Sequence, residues 1–386
     1  MKKIYFLSFF FLYFTNIVYA KCNFSDKNYL DKLNNPRLIK LINIEVLKSK
    51  KFNKNFARIV SSKTENIHSN LKKKFLAKIK VNYVFGSCSY SGSVRQLGDW
   101  KDHISLTQNG SLPLRSLSVE LDEGNILNSV RFKLFIPKTK NNLNEVLGTV
   151  ILRELGFISP ETFQVKTSVN GAKSVMIFQE DSRKELLERN LRNEGPIFEG
   201  DEDLVWGYKN FKIHELNNLT LSRLLNDNWF KKGETSRSIT LYSYLKLQKA
   251  YMQDTQNDGL GIRRWVIYPN QLESQEFQDY AFILYAMNGY HSFYLNNRKY
   301  YFNYFIKRFE PIYYDGDLNF DNKILSTPLG FERFFSKNYQ LPIELENHEL
   351  IDTENIFNNF YEKTVVSKKK ALKFFENSIG NFFYNI

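Results

Sequence analysis

Two aspartates flank a glycine at Asp315-Gly316-Asp317, directly after the β-prone run Phe309-Glu310-Pro311-Ile312-Tyr313-Tyr314. Carboxylate oxygens are the hard ligands that Mg²⁺ and Mn²⁺ prefer, so the pair can hold a divalent cation. Asp-Gly is equally a common turn dipeptide, and the same residues can simply turn a hairpin. Upstream lies the polar loop Asn288-Gly289-Tyr290-His291-Ser292-Phe293-Tyr294-Leu295-Asn296-Asn297. It offers the Asn297 amide as a further metal ligand and His291 as a group that exchanges a proton near neutral pH. A cation on Asn297, Asp315 and Asp317 would neutralise phosphate oxygens, which is what phosphoryl transfer requires electrostatically.

Other chemistries find less in the chain. There is no Walker-type phosphate loop, no Gly-x-Ser-x-Gly elbow, and no HExxH spacing among the five histidines. Glycan hydrolysis needs two acids facing across one cleft, and Asp315 and Asp317 are too close in sequence to form such a pair. The Phe and Tyr residues are spread along the whole chain, as core-filling residues are.

The elements that must position these groups follow from periodicity. A two-residue alternation at 78–85 predicts a strand, and further strands are predicted at 116–121, 130–136, 163–169 and 174–179. Asn170-Gly171 joins the last two as a hairpin. Between the strands at 130–136 and 163–169, Val146, Leu147, Val150, Ile151 and Leu155 recur at helical spacing over 143–155, closed by Gly156. Helices are predicted at 182–190, 216–226, 236–254, 273–288 and 354–378, with a strand pair at 299–304 and 310–314 inside this helical stretch. The expected organisation is a lead-in of short helices over 21–77, a β-rich N-terminal lobe over 78–190, and a mainly helical C-terminal lobe over 191–386. The expected class is α+β and bilobal, with the break near 181–200.

The compartment is read from the start of the chain. Met1-Lys2-Lys3 is cationic, residues 4–18 are apolar and aromatic, and Val18-Tyr19-Ala20 offers small residues for cleavage, so residues 1–20 are expected to be a signal peptide. An uncleaved anchor is the alternative, although the run is shorter than the ~20 residues of a spanning helix. No later stretch is apolar enough to cross a bilayer, so no transmembrane segment is expected after cleavage. The protein is then exported, to the periplasm, the cell surface or the medium. Its two cysteines, Cys22 and Cys88, would meet an oxidising environment and are expected to pair, two reduced thiols being the alternative. The formal charge is +13. In that compartment the surplus suits anionic envelope polymers or acidic substrates rather than nucleic acid.

Several segments in order carry a resemblance. They are Gly98-Asp99-Trp100-Lys101-Asp102-His103; Phe132-Lys133-Leu134-Phe135-Ile136-Pro137-Lys138-Thr139-Lys140 with Asn144-Glu145; Leu152-Arg153-Glu154-Leu155-Gly156-Phe157; Phe178-Gln179-Glu180 with Lys184-Glu185-Leu186-Leu187-Glu188; Asn297-Arg298-Lys299-Tyr300-Tyr301; and Pro311-Ile312-Tyr313-Tyr314-Asp315-Gly316-Asp317. Over roughly 78–320 the chain resembles the CotH kinase family, spore-coat-type secreted atypical kinases distantly related to the protein-kinase fold, and more closely an exported bacterial branch of it.

The resemblance implies a bilobal protein-kinase-like fold binding ATP with Mg²⁺ or Mn²⁺. Lys133 would brace the phosphates, with Lys138 as a rival, and Glu145 would orient Lys133, with Glu154 as the other helix carboxylate. Gln179 and Glu180 would meet the nucleotide as a hinge. Asn297 and Asp315 would hold the metal, with Asp317 as a second acid. Five residues before Asn297 stands Ser292, where a catalytic Asp is expected, which leaves the neighbouring His291 as the base. The implied function is phosphoryl transfer from ATP to a hydroxyl of an envelope protein or polysaccharide. The alternative is a non-catalytic kinase-like scaffold or binding protein in envelope or capsule assembly.

Overall fold

The alternation that becomes visible at residue 78 belongs to a strand beginning at Lys74, and the sheet around that strand closes on itself. The computed structural model describes residues 21–26, 28–107, 110, 112–200, 222–257, 271–293, 297–321, 324 and 339–386. The expected signal peptide and residues 216–221 of an expected helix lie outside them.

In chain order the first strands are β1 (Lys21–Phe24), β2 (Ile39–Val46), β3 (Lys74–Tyr83), β4 (Gly86–Gln96), the short pair β5 (Ile104–Leu106) and β6 (Pro113–Arg115), β7 (Leu117–Leu121), β8 (Arg131–Phe135), β9 (Thr162–Val169) and β10 (Ala172–Glu180). Strands β4, β3, β2, β9, β10, β8 and β7 pair in that order, and β7 returns to pair with β4. Seven strands thus form a closed barrel. Every ladder in it is antiparallel except β2 with β9. Inward positions such as Ile42, Ile44, Ile79, Val81, Val119, Phe132, Phe163 and Phe178 fill one core. Closure needs Gly92, because a Cβ there would meet the Glu120 carbonyl oxygen at 2.4 Å.

Helix α1 (Ser49–Val60) packs Phe52 into the barrel core, and further helices follow it along the chain. These are α2 (Leu143–Glu154), α3 (Lys184–Arg189), α4 (Glu234–Asn257), α5 (Gln271–Ala286), α6 (Thr353–Glu362) and α7 (Lys368–Asn385). With them come β11 (Ile197–Gly200), β12 (Ser222–Leu224), β13 (Lys299–Asn303) and β14 (Arg308–Ile312), joined in one four-stranded sheet of order β12-β11-β13-β14.

The bilobal kinase-like arrangement, with a β-rich first lobe and a mainly helical second, is not the fold of this chain. The strands of its first half form a closed barrel with no free edge between β4 and β7, and its second half carries a sheet of its own. Nor is 21–77 a helical lead-in, since it contains the barrel stave β2. A register irregularity between Ile39 and Leu41 breaks the two-residue period there, and β2 joins β9 across a long sequence gap, so no hairpin signal announces it. Helix α2 follows barrel strand β8, yet its Val146, Leu147, Val150 and Ile151 lie in a second core with Leu284, Met287, Phe357 and Phe360.

Two helical expectations also change. The stretch predicted over 354–378 divides into α6 and α7, because the backbone turns aside at Lys363, whose ammonium pairs with buried Glu161 and whose carbonyl accepts from the Gln164 N–H at 2.8 Å. The described end of the stretch predicted over 216–226 is strand β12.

Cys22 and Cys88 sit opposite each other in the β1–β4 ladder and form a disulfide. No helix among the described residues is long and apolar enough to cross a membrane. The bridge closes a 66-residue separation. Its removal by Cys88→Ser, or by reductant, is expected to cost about 2–4 kcal/mol, read as a lowered melting temperature in the variant and in reduced wild type alike.

Candidate functional site

Strand β8 ends at Phe135, and Pro137 opens a single 3₁₀ turn through Lys140. Proline presets the backbone angle for the first residue of such a turn. Asn141 and Asn142 then take positive φ of 46° and 54°, which lets the chain reverse into α2 within two residues. The reversal aims Lys140 inward. It is 3% exposed, its Nζ lies 4.8 Å from the centre of the Phe135 ring, and it pairs with Asp315 Oδ1.

Glu145, in the first turn of α2, is completely buried. It accepts from Gln179 Nε2 at 2.8 Å and from Tyr313 Oη at 2.7 Å. The Tyr313 hydroxyl accepts in turn from the Gly316 N–H at 3.2 Å. Glycine is required at 316, since a Cβ there would meet the Tyr313 ring at 2.8 Å. Asp315 and Asp317 on either side have positive φ of 51° and 53°. Asn141 Nδ2 donates to Asp317 Oδ1 at 2.9 Å and to the Leu318 carbonyl at 3.0 Å. The acidic bend is therefore fixed from both sides.

The polar loop reaches the same place. His291 Nδ1 lies 2.8 Å from the Asp315 carbonyl oxygen and 3.5 Å from its Oδ2. A carbonyl only accepts, so this contact favours the proton on Nδ1, with Nε2 as the basic nitrogen of the neutral ring. Asn297 donates an amide N–H to the His291 carbonyl at 2.8 Å, and that amide nitrogen is 3.0 Å from His291 Nδ1. Thus His291, Asn297 and Asp315 are brought together, with Glu145 linked to them through Tyr313 and Gly316. Ser292 instead donates to the Tyr314 carbonyl at 2.7 Å.

The electrostatics follow the geometry. Burial works to raise the Asp315 carboxyl, but Lys140 and His291 outweigh it and hold the group well below the usual carboxylate range. Burial likewise works against the Lys140 ammonium, and the acids at Asp315 and Glu145 overcome it and raise its pKa. Burial dominates at Glu145 and raises it, against the pull of Lys140, Tyr313 and Gln179. The hydrogen bond with Asp315 raises His291, against its burial.

The other sequence candidates lie elsewhere. Lys133 does not reach Glu145 or Asp315; its Nζ is 3.5 Å from Asp181 Oδ1 and 4.5 Å from the centre of the Tyr314 ring. Lys138 is exposed. Glu154, at the far end of α2, accepts from Asn355 and Asn359. Gln179 uses its side chain on Glu145. Glu180 binds Arg189 at 3.0 Å and accepts from the Glu161 N–H at 3.1 Å. Both belong to β10, which runs between β8 and β9, so their backbone faces neighbouring strands rather than an open edge. The lysine that meets the acids is Lys140, which stands in the same short run as the expected Lys133 and Lys138 but was not among the expected site residues. Asn141-Asn142 after Pro137 marked a tight turn there, and that was the available signal.

Among the described residues no three or more His, Cys, Asp or Glu side chains converge as a metal-binding group. Mg²⁺, however, is commonly held by one or two carboxylates and completed by phosphate oxygens and water. Asp315, Asp317 and Asn297 provide such oxygen donors, so the donor chemistry fits a hard divalent cation, which would share Asp315 with the Lys140 ammonium. No family model matches the chain, and no curated protein matches it.

Lys140→Met is expected to destabilise the fold by about 3 kcal/mol, since it strands a carboxylate that has lost its cation. Adding Asp315→Asn to that variant should recover part of the loss in urea denaturation. For His291 the folded pKa is raised, so its contribution is complete below the unfolded value of about 6.5 and fades as pH rises through the folded value. The stability difference between wild type and His291→Gln should therefore be largest in mild acid and shrink toward alkaline pH.

Proposed function

We propose that the protein is an exported phosphotransferase that moves a phosphoryl group from ATP to a hydroxyl of an envelope protein or glycan, with Mg²⁺ or Mn²⁺. The observation that carries this reading is the Asp315 carboxylate, paired with buried Lys140 and approached by His291, a side chain that exchanges a proton near neutral pH. His291 Nε2 takes the proton of the acceptor hydroxyl as that oxygen bonds to phosphorus and the bond to the leaving ADP breaks. Lys140 offers its charge to the phosphate oxygens. Asn297, Asp315 and Asp317 would hold the divalent ion, whose chemistry is to neutralise charge on the phosphates. Glu145 and Tyr313 act on the bend that carries Asp315 rather than on the substrate.

Three further points support the reading. The Cys22–Cys88 disulfide suits an oxidising compartment, as does the apolar start of the chain. Many of the residues that assemble here belong to segments that resemble the CotH kinase family. The barrel removes the fold-level part of that resemblance, so the reading stands on the local chemistry.

One observation favours a second reading, a non-catalytic binding protein in envelope or capsule assembly. Ser292 stands where a carboxylate base is expected, and its hydroxyl is engaged by the Tyr314 carbonyl.

With γ-labelled ATP, divalent metal and an envelope fraction, wild type is expected to incorporate label. His291→Gln should reduce the rate by a factor of about 10²–10⁴, and Asp315→Asn should abolish transfer while the variant still melts cooperatively. Label transfer that is absent from wild type, or undiminished in both variants, would remove the catalytic reading.

A further inference from the structure

Lys133, displaced from the acids at 145 and 315, belongs to a separate cluster at the end of β10. Asp181 follows that strand and is ringed by Lys133 Nζ at 3.5 Å, Arg183 Nε at 3.6 Å and Arg131 Nε at 3.8 Å, all beyond ordinary hydrogen-bond reach. From the other sheet β13 brings Lys299, whose Nζ lies 3.3 Å from Ser182 Oγ and 3.5 Å from Glu199 Oε2. Glu199 is itself held more tightly by Arg223, whose Nε is 2.7 Å from Oε1. Both ammoniums face the same ring, Tyr314, at 4.5 Å for Lys133 and 3.6 Å for Lys299.

The two lysines are 8% and 4% exposed, whereas Arg131 and Arg183 retain 31% and 26% of their side-chain exposure. Arg131 also lies 3.4 Å from Glu120, and Arg183 donates to the Leu225 carbonyl. The four cations still exceed the carboxylates Asp181, Glu199 and Glu120, of which Glu199 is shared with Arg223 and Glu120 with Lys74. Burial and the neighbouring Lys299 lower Lys133 to about 8, a measure of how incompletely its charge is compensated. Lys299 also lines a small cleft with Ser292 and Asn297, and Tyr314 directly precedes Asp315, so the cluster lies beside the candidate site.

We propose that Lys133, Lys299, Arg131 and Arg183 form an anion-binding site for a phosphate-bearing ligand, with the lysines as its floor and the arginines as its mouth. Such a ligand supplies a multiply charged acceptor of N–H bonds among cations that Asp181 and Glu199 meet only at 3.5–3.8 Å. Arginine at the mouth suits planar, paired contacts with phosphate oxygens, and lysine at the floor acts as a point charge. The phosphate can be the chain of a nucleotide or a phosphate carried by another substrate. The nucleotide identity alone rests on the phosphotransferase reading; the anion site does not.

The test is calorimetric titration of the purified protein with inorganic pyrophosphate, without divalent metal, followed by the same titration in the presence of ATP. Wild type is expected to bind pyrophosphate, and Lys299→Met to weaken binding by about tenfold or more. Arg183→Gln, at the exposed mouth, should weaken it in the same direction and serves if Lys299→Met does not fold. Asp315→Asn should leave pyrophosphate binding intact, which separates this site from the one at Asp315. Competition by ATP identifies the nucleotide as the source; binding without competition keeps the site and assigns it to a different phosphate. No binding to folded wild type, or equal binding to wild type and both cation variants, overturns the proposal. Label transfer can fail while pyrophosphate binding persists, so the two readings fail separately.

Discussion

Glu145 is an acid with no exposed surface that joins three parts of the chain. Its helix springs from the turn after β8, its first oxygen receives Gln179 from the barrel wall, and its second receives Tyr313 from the segment after β14. A buried carboxylate left without such donors would cost about 1–3 kcal/mol or more for the lost partners. Satisfying it therefore obliges the barrel, α2 and the acidic bend to meet in one arrangement. Tyr313 then relays that constraint to the backbone at Gly316, and the direction of the Asp315 carboxylate follows. The exposed chemistry of this region is thus fixed from beneath, by a group that touches no solvent.

Two differently balanced charge systems lie on either side of Tyr314. On one, Lys140 is in close contact with the Asp315 carboxylate, whose charge is matched by it. On the other, Asp181 is surrounded by cations at longer distances and positive charge is in excess. This polarity runs along a few residues of backbone and gives the region a direction: a carboxylate matched by its cations at one end and an excess of positive charge at the other. Such an arrangement suits a substrate that is itself polar along its length.

The local pieces were legible in the sequence, while their closure was not. The helix at Leu143–Glu154, the hairpin through Asn170-Gly171 and the pair Lys299–Asn303 with Arg308–Ile312 all announce themselves through periodicity and turn residues. The barrel depends on features without a local signature: the irregularity in β2, its parallel partner β9, and Gly92 opposite β7. The site divides in the same way. The convergence of the loop at His291 and Asn297 with the bend at Asp315 follows from residue types in order. The choice of Lys140 over Lys133 does not, because it rests on a single turn whose direction only the two left-handed asparagines fix.

The parallel ladder between β2 and β9 carries a kinetic cost. Residues 42–44 find their partners at 167–169, so the barrel cannot be completed by hairpins zipping outward, and a long loop must first be closed against its entropy. Such high contact order favours slow folding, in milliseconds to seconds, with unpaired strand edges open in the meantime. For a chain that emerges from its N-terminus first, β2 must wait for β9 to appear, and holding that early segment apart from other chains becomes part of how the protein matures.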